Sequence, residues 1–330
     1  MKKSTVYIII FAVVFALAGV LLLSALSGRQ PDQIPSDEVY RITFFDGNTQ
    51  ILTYTVSGGD TASMPNDPAK DNYIFCGWYT DKYLSHRYDF STPVTQDLHL
   101  FAKFELDAAN VTNRISTDTI KGIVKVYNRS YNTFLGIEYE YSTSQGSGFC
   151  FAISDGCYYV LTNCHVAIKK ESFKKQKFTI VDYQGKEYTG YLYKNPNKSF
   201  DAIAAEYDLA CLYFEASNTN VKALSLVSVN PDIDDDVIAL GAPKAQSNTI
   251  TFGKIVDYSQ ITLNNCTLSE SNVTFDVIRH AAFVNSGSSG GPLMDINLNV
   301  IGVNYAANGT YSYAIPAEKV TEFLDKYVYN

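Results

Sequence analysis

Asn285-Ser286-Gly287-Ser288-Ser289-Gly290-Gly291-Pro292-Leu293 is the stretch whose reading decides the fold. A nucleophilic serine must be exposed, with backbone N–H groups aimed at the oxygen that becomes negative on attack. Glycines permit the tight, partly left-handed backbone that turns such groups inward. Here Gly287 and Ser289 would supply the donors. Glycine and serine are equally the composition of an ordinary loop, so the segment needs partners elsewhere in the chain.

Two other segments offer them. From Gly148-Phe149 the text reads as a strand to Ile153, a turn at Ser154-Asp155-Gly156, and a second strand, Tyr158 to Leu161, that runs on to His165. A histidine just past a buried strand can be held rigidly, although a lone histidine is more commonly structural. His86, His99 and His280 are the other imidazoles. In Tyr207-Asp208-Leu209-Ala210-Cys211-Leu212 an acid opens an apolar strand, where it is partly buried and needs a partner. Asp201 is the nearest competitor, but no apolar strand directly follows it.

In the chain order His, Asp, Ser these residues resemble the chymotrypsin-type triad. TNCHV, DLACLYF and GSSGGPL resemble the HtrA (Deg) branch of trypsin-like serine peptidases. VIALGAPKAQSNTITFGKIV, VIGVNYA and YAIPAEKV extend the likeness over about residues 115–327. The resemblance implies Ser289 as nucleophile, His165 as general base and later acid, Asp208 as the group that orients His165, and the N–H groups of Gly287 and Ser289 as oxyanion hole. It places Phe283, flanked by Ala281, Ala282 and Val284, near the floor of the primary substrate pocket. With no acid there, an apolar side chain is expected before the scissile bond rather than Arg or Lys. Asn304, Tyr305 and Ala306 would pair with extended substrate as an added strand. Ser288 stands where the family usually has Asn. The text ends at Asn330 without room for a PDZ module, so regulation through one is not expected and the family's trimers are not assumed.

The wider composition fits. The chain has 330 residues, 46% hydrophobic and 18% charged, enough for about two folded domains. A net charge of −8 argues against a nucleic-acid partner. Tyr and Phe are abundant, a bias towards strands. From about Asn110 many short β runs suggest a sandwich or one or two barrels. With the resemblance, the expected fold is all-β: a chymotrypsin-like double β-barrel over 110–330, closed by an amphipathic helix carrying Val320, Phe323, Leu324 and Val328. Residues 39–106 read as strands and turns. ITFFDGN, MPNDPAKDNY, CGWYTD and YDFSTPVTQDLHLFAKF resemble the internalin-type B repeat, or Listeria–Bacteroides repeat. That implies a small β-grasp-like module of bacterial surface proteins, able to bind a surface ligand, with Trp78 in its core.

Ahead of it, Val6 to Leu26 is an uncharged apolar run behind Lys2 and Lys3, long enough to cross a bilayer. Residues 1–27 are expected to be a transmembrane anchor, with a cleaved signal peptide ending near Ala25-Leu26-Ser27 as the alternative; residues 28–38 read as a polar stalk. The six cysteines show no CxxC or His/Cys spacing, so no metal or other cofactor is expected and the thiols should be mostly free. The reading is a membrane-tethered, extracytoplasmic serine endopeptidase acting on extended or unfolded polypeptides, and the surface repeat suggests a bacterium. A cell-surface binding or adhesion protein with a latent peptidase domain is the alternative.

Overall fold

The computed structural model describes residues 38–167, 175–193, 206–242, 249–261 and 273–329. The apolar run at 6–26 and most of the stalk lie outside the described residues, as does Asp201. Among the described residues no helix is long and apolar enough to cross a membrane. The chain divides into two units, one ending at Glu105 and the other beginning at Leu106.

The first unit is a four-stranded sheet ordered β2-β1-β4-β3, from β1 (Val39–Asp46), β2 (Thr49–Ser57), β3 (Tyr73–Tyr79) and β4 (Leu98–Leu106). β1 pairs antiparallel with β2 and parallel with β4. Gly47 takes the first place of the two-residue β1–β2 turn with φ +56°, which suits a type II′ turn. Trp78 is fully buried, edge-on to Phe44 at 4.7 Å between ring centroids, and Ile42, Val94 and Leu100 complete the core. Tryptophan here is packing, as expected from the sequence.

Among the described residues the second unit holds twelve strands in two closed barrels. β5 (Ile123–Phe134), β6 (Ile137–Ser154), β7 (Cys157–Asn163), β8 (Lys175–Val181), β9 (Glu187–Leu192) and β10 (Leu209–Glu215) close in the order β10-β7-β6-β5-β8-β9. β11 (Asp236–Gly241), β12 (Thr249–Ser259), β13 (Val277–His280), β14 (Pro292–Asp295), β15 (Val300–Ala307) and β16 (Ser312–Pro316) close in the order β11-β12-β13-β16-β15-β14. Side chains alternate across a strand, and both faces are buried. In β10, Ala210, Leu212 and Phe214 fill the first barrel while Leu209 and Cys211 join the cluster between barrels. In β11, Val237 and Ala239 fill the second barrel, and Ile238 and Leu240 face that same central cluster. This double burial is why both strands read as unbroken apolar runs.

The C-terminal helix, Ala317–Tyr327, buries Ala317, Val320, Phe323 and Leu324. A second helix, Ala108–Thr117, was not expected from a text that reads as β throughout. Asp107 caps it, accepting the Asn110 N–H at 3.0 Å. Only Val111 and Ile115 are buried, a stripe too thin to show as helical periodicity.

β5 and β6 form a long hairpin with a two-residue turn at each end of β6. At the β6–β7 end Asp155 and Gly156 have φ +50° and +77°, the type I′ geometry that Asp-Gly favours. At the β5–β6 end the same geometry is imposed on Leu135 and Gly136, at φ +50° and +83°. A left-handed backbone costs an ordinary side chain about 1–2 kcal/mol. Among the described residues no disulfide joins Cys76, Cys150, Cys157, Cys164 and Cys211; Cys266 lies outside them.

Candidate active site

Strand register puts Asp208 beside His165. β10 pairs with β7 so that Leu209 faces Asn163. Asp208, one residue before β10, therefore stands across from the one-turn helix Cys164–Ala167, which carries His165. One carboxylate oxygen of Asp208 lies 2.8 Å from His165 Nδ1, and the other accepts the His165 backbone N–H at 3.0 Å. The Asp208 carbonyl accepts the Cys164 N–H and the Asn163 side-chain amide, each at 3.0 Å. Asp208 holds φ +50°, a strained value that aspartate tolerates better than most residues. The Asp208 side chain is buried and that of His165 is partly exposed. The pair thus has a covered acid and an imidazole that reaches solvent.

Ser289 lies in the segment between β13 and β14, and glycines shape its surroundings. Ser288 N–H donates to the Asn285 carbonyl at 2.9 Å. Gly287, third in that turn, has φ +97°, the position where a type II turn requires glycine. Gly290 is wedged against the first barrel: a Cβ there would fall 2.1 Å from the Ser147 carbonyl and 2.3 Å from Thr162 Oγ1. On Gly291 a Cβ would fall 2.2 Å from the Leu240 carbonyl of the second barrel. A Cβ on Gly146 would meet both the Val166 side chain and the Ser289 carbonyl, at 2.6 and 3.0 Å. Ser289 and the residue after His165 therefore converge on β6.

Ser147, which the sequence reading passed over, ties the barrels together. Its N–H donates to the Ser289 carbonyl at 2.7 Å, and its carbonyl accepts Thr162 Oγ1–H at 2.7 Å. Its hydroxyl donates to the Gly287 carbonyl at 2.7 Å and accepts the Ala242 N–H at 2.8 Å. The partners of that hydroxyl lie far away in the text, so no local pattern announces them. The N–H groups of Ser288, Gly290 and Gly291 go to Asn285, Asn304 and Ser288 carbonyls. Those of Gly287 and Ser289 take part in none of these bonds.

The residues read as substrate-binding have different surroundings. Phe283 is 53% exposed, and its carbonyl accepts Thr251 Oγ1–H. Asn304, Tyr305 and Ala306 are buried in β15. Asn304 serves the segment around Ser289: its backbone N–H and carbonyl bond Gly291 and Gly290, and its side-chain amide donates to the Gly291 and Pro292 carbonyls. Beneath it, burial pushes His280 down to about 4, so that imidazole is neutral at neutral pH. Among the described residues no group of three His, Cys, Asp or Glu side chains could hold a metal ion.

Residues 146–303 match the trypsin-like peptidase domain family and residues 40–103 the Listeria-Bacteroides repeat domain. Serine protease HTRA4 of Mus musculus is 32% identical over 191 residues, covering 57% of this chain and 35% of that protein. Serine protease HTRA1B of Danio rerio is 29% identical over 243 residues, covering 73% of this chain and 42% of that protein. The chain thus spans less than half the length of these relatives. Among solved structures, the inactive form of Rv3671c protease aligns at 24% identity with a TM-score of 0.48, covering 67% of this chain and 95% of that one.

Proposed function

We propose, from the premise that this chain carries an HtrA-type trypsin-like peptidase domain together with a Listeria-Bacteroides repeat, that it is a serine endopeptidase working through an acyl-enzyme. The observation that carries this reading is the two-point clamp of Asp208 on His165, side chain and backbone together. A carboxylate on Nδ1 keeps the proton on that nitrogen and leaves Nε2 basic. Nε2 then takes the Ser289 hydroxyl proton as the oxygen attacks a peptide carbonyl. The imidazolium, stabilised by Asp208, returns the proton to the leaving amine. Water repeats the sequence on the ester.

The negative oxygen of each tetrahedral intermediate would accept the N–H groups of Gly287 and Ser289. Phe283, half exposed beside Ala282 and Val284, suits an apolar substrate side chain; no acid stands there to attract Arg or Lys. Tyr305 and Ala306 are the proposed pairing positions for extended substrate, with Asn304 supporting Ser289. Extended or unfolded polypeptides are the proposed substrates, since an added strand requires an open backbone. The apolar run behind Lys2 and Lys3 supports a membrane tether with the peptidase outside the cytoplasm.

A labelled fluorophosphonate tests the site directly. The full chain should be modified, and Ser289→Ala and His165→Ala should each abolish labelling. A well-folded chain that takes no label would overturn the reading.

A further inference from the structure

We propose that the tip of the β5–β6 hairpin is a membrane-insertion point, with Phe134, Leu135 and Ile137 seated among the acyl chains of a bilayer. Phe134, Leu135 and Ile137 are 68, 85 and 71% exposed, and Tyr139 and Tyr141 behind them are also exposed. Nothing in the turn geometry asks for an apolar residue. The turn at the other end of β6 has the same backbone and uses Asp155-Gly156. A leucine held left-handed and open to water is unfavourable on both counts, and an apolar surrounding for the tip would relieve the second.

Three features favour lipid over a protein groove. Phe134 and Ile137 are cross-strand partners on one face with Tyr139, and Leu135 stands at the turn, so the apolar group is a narrow tip that a fluid solvent accommodates without shape matching. Its side chains are graded, with aliphatic and phenyl groups at the end and tyrosines behind, where amphipathic rings meet headgroups. Cations follow: Lys175, Lys177 and Arg129 lie along the hairpin and its β8 neighbour. The acid nearest the tip, Glu138, is paired with both lysines, and Arg129 with Glu140. The region thus carries one positive charge in excess, within a chain of net charge −8. The chain also contains the apolar run Val6 to Leu26, so a bilayer is the apolar phase nearest to hand. In this respect the proposal rests on the tethered reading, and the test separates the two.

The full chain carrying Leu135→Trp would be combined with phosphatidylcholine vesicles brominated along the acyl chains, with Ile153→Trp as control. Ile153 is exposed near the far end of β6, roughly 50 Å along the strand. Trp78, buried in the repeat, gives a constant background. The Leu135→Trp emission should shift to the blue and be quenched by bromine, and the Ile153→Trp emission should do neither. Flotation of a chain carrying Phe134→Asp, Leu135→Asp and Ile137→Asp, whose tip cannot insert, reports the tether independently. Quenching of Leu135→Trp with no flotation of that charged variant would retain the tip and refute the tether. A floating chain whose Leu135→Trp stays unquenched overturns the proposal. A blue shift without quenching overturns it in favour of a protein contact.

Discussion

In the first barrel Asp208 is fastened by hydrogen bonds from three consecutive residues, Asn163, Cys164 and His165. In the second barrel Ser289 is placed chiefly by what its neighbours lack: Gly290 and Gly291 let the segment approach to distances that no Cβ permits. The acid–base pair depends on directed bonds, and polar substitutions should disturb it. Ser289, the proposed nucleophile, depends on excluded volume, so it should be sensitive to a single methyl group. An acid–base pair must resist reorientation while its charge changes. A nucleophile needs its place fixed and its backbone donors left available.

The largest effect should come from Asp208→Asn, which keeps the shape and removes the charge. Turnover at neutral pH should fall by about 10⁴-fold with thermal stability little changed; steady-state kinetics and a melting curve would decide. Gly290→Ala probes the other half. The added carbon strains φ +88° and meets Ser147 and Thr162, so activity should drop by about 10²-fold or more and stability by about 1–3 kcal/mol. If Gly290→Ala is as active as the native chain, excluded volume does not place Ser289.

The third probe concerns pH. His280 ends the strand leading into the nucleophile segment, and its value of about 4 lies below the ordinary 6.5. Between these values the unfolded chain binds the extra proton, so stability is full above pH 6.5 and declines as pH falls towards 4. The loss amounts to up to about 3 kcal/mol. Melting curves at pH 7 and 4.5 should show a smaller difference for His280→Leu than for the native chain. Ser147→Ala is the mildest change. It leaves the backbone bonds to Ser289 and Thr162 and removes the hydroxyl that joins Gly287 to Ala242. We expect kcat about tenfold lower with KM unchanged, and equal losses in fluorophosphonate labelling rate.

The apolar runs of β10 and β11 were legible because double burial leaves no polar face to confuse them. The amphipathic C-terminal helix was legible from its spacing. The helix Ala108–Thr117 was not, since its burial is confined to Val111 and Ile115. His165, Asp208 and Ser289 could be picked out because each sits at a marked local boundary between strand and turn. Ser147 could not, because its part depends on partners that only the closed barrels supply. Asn304 shows the converse: its segment was recognised, but its bonds to Gly290, Gly291 and Pro292 appear only when β14 and β15 are paired.

Asp208 and Ser289 are 289 − 208 = 81 residues apart, and ribosomes add roughly 5–20 residues per second. A nascent chain would therefore carry an assembled His165–Asp208 neighbourhood for several seconds before its nucleophile segment exists to be seated against β6. During that interval the growing polypeptide cannot attack itself or the machinery that makes it.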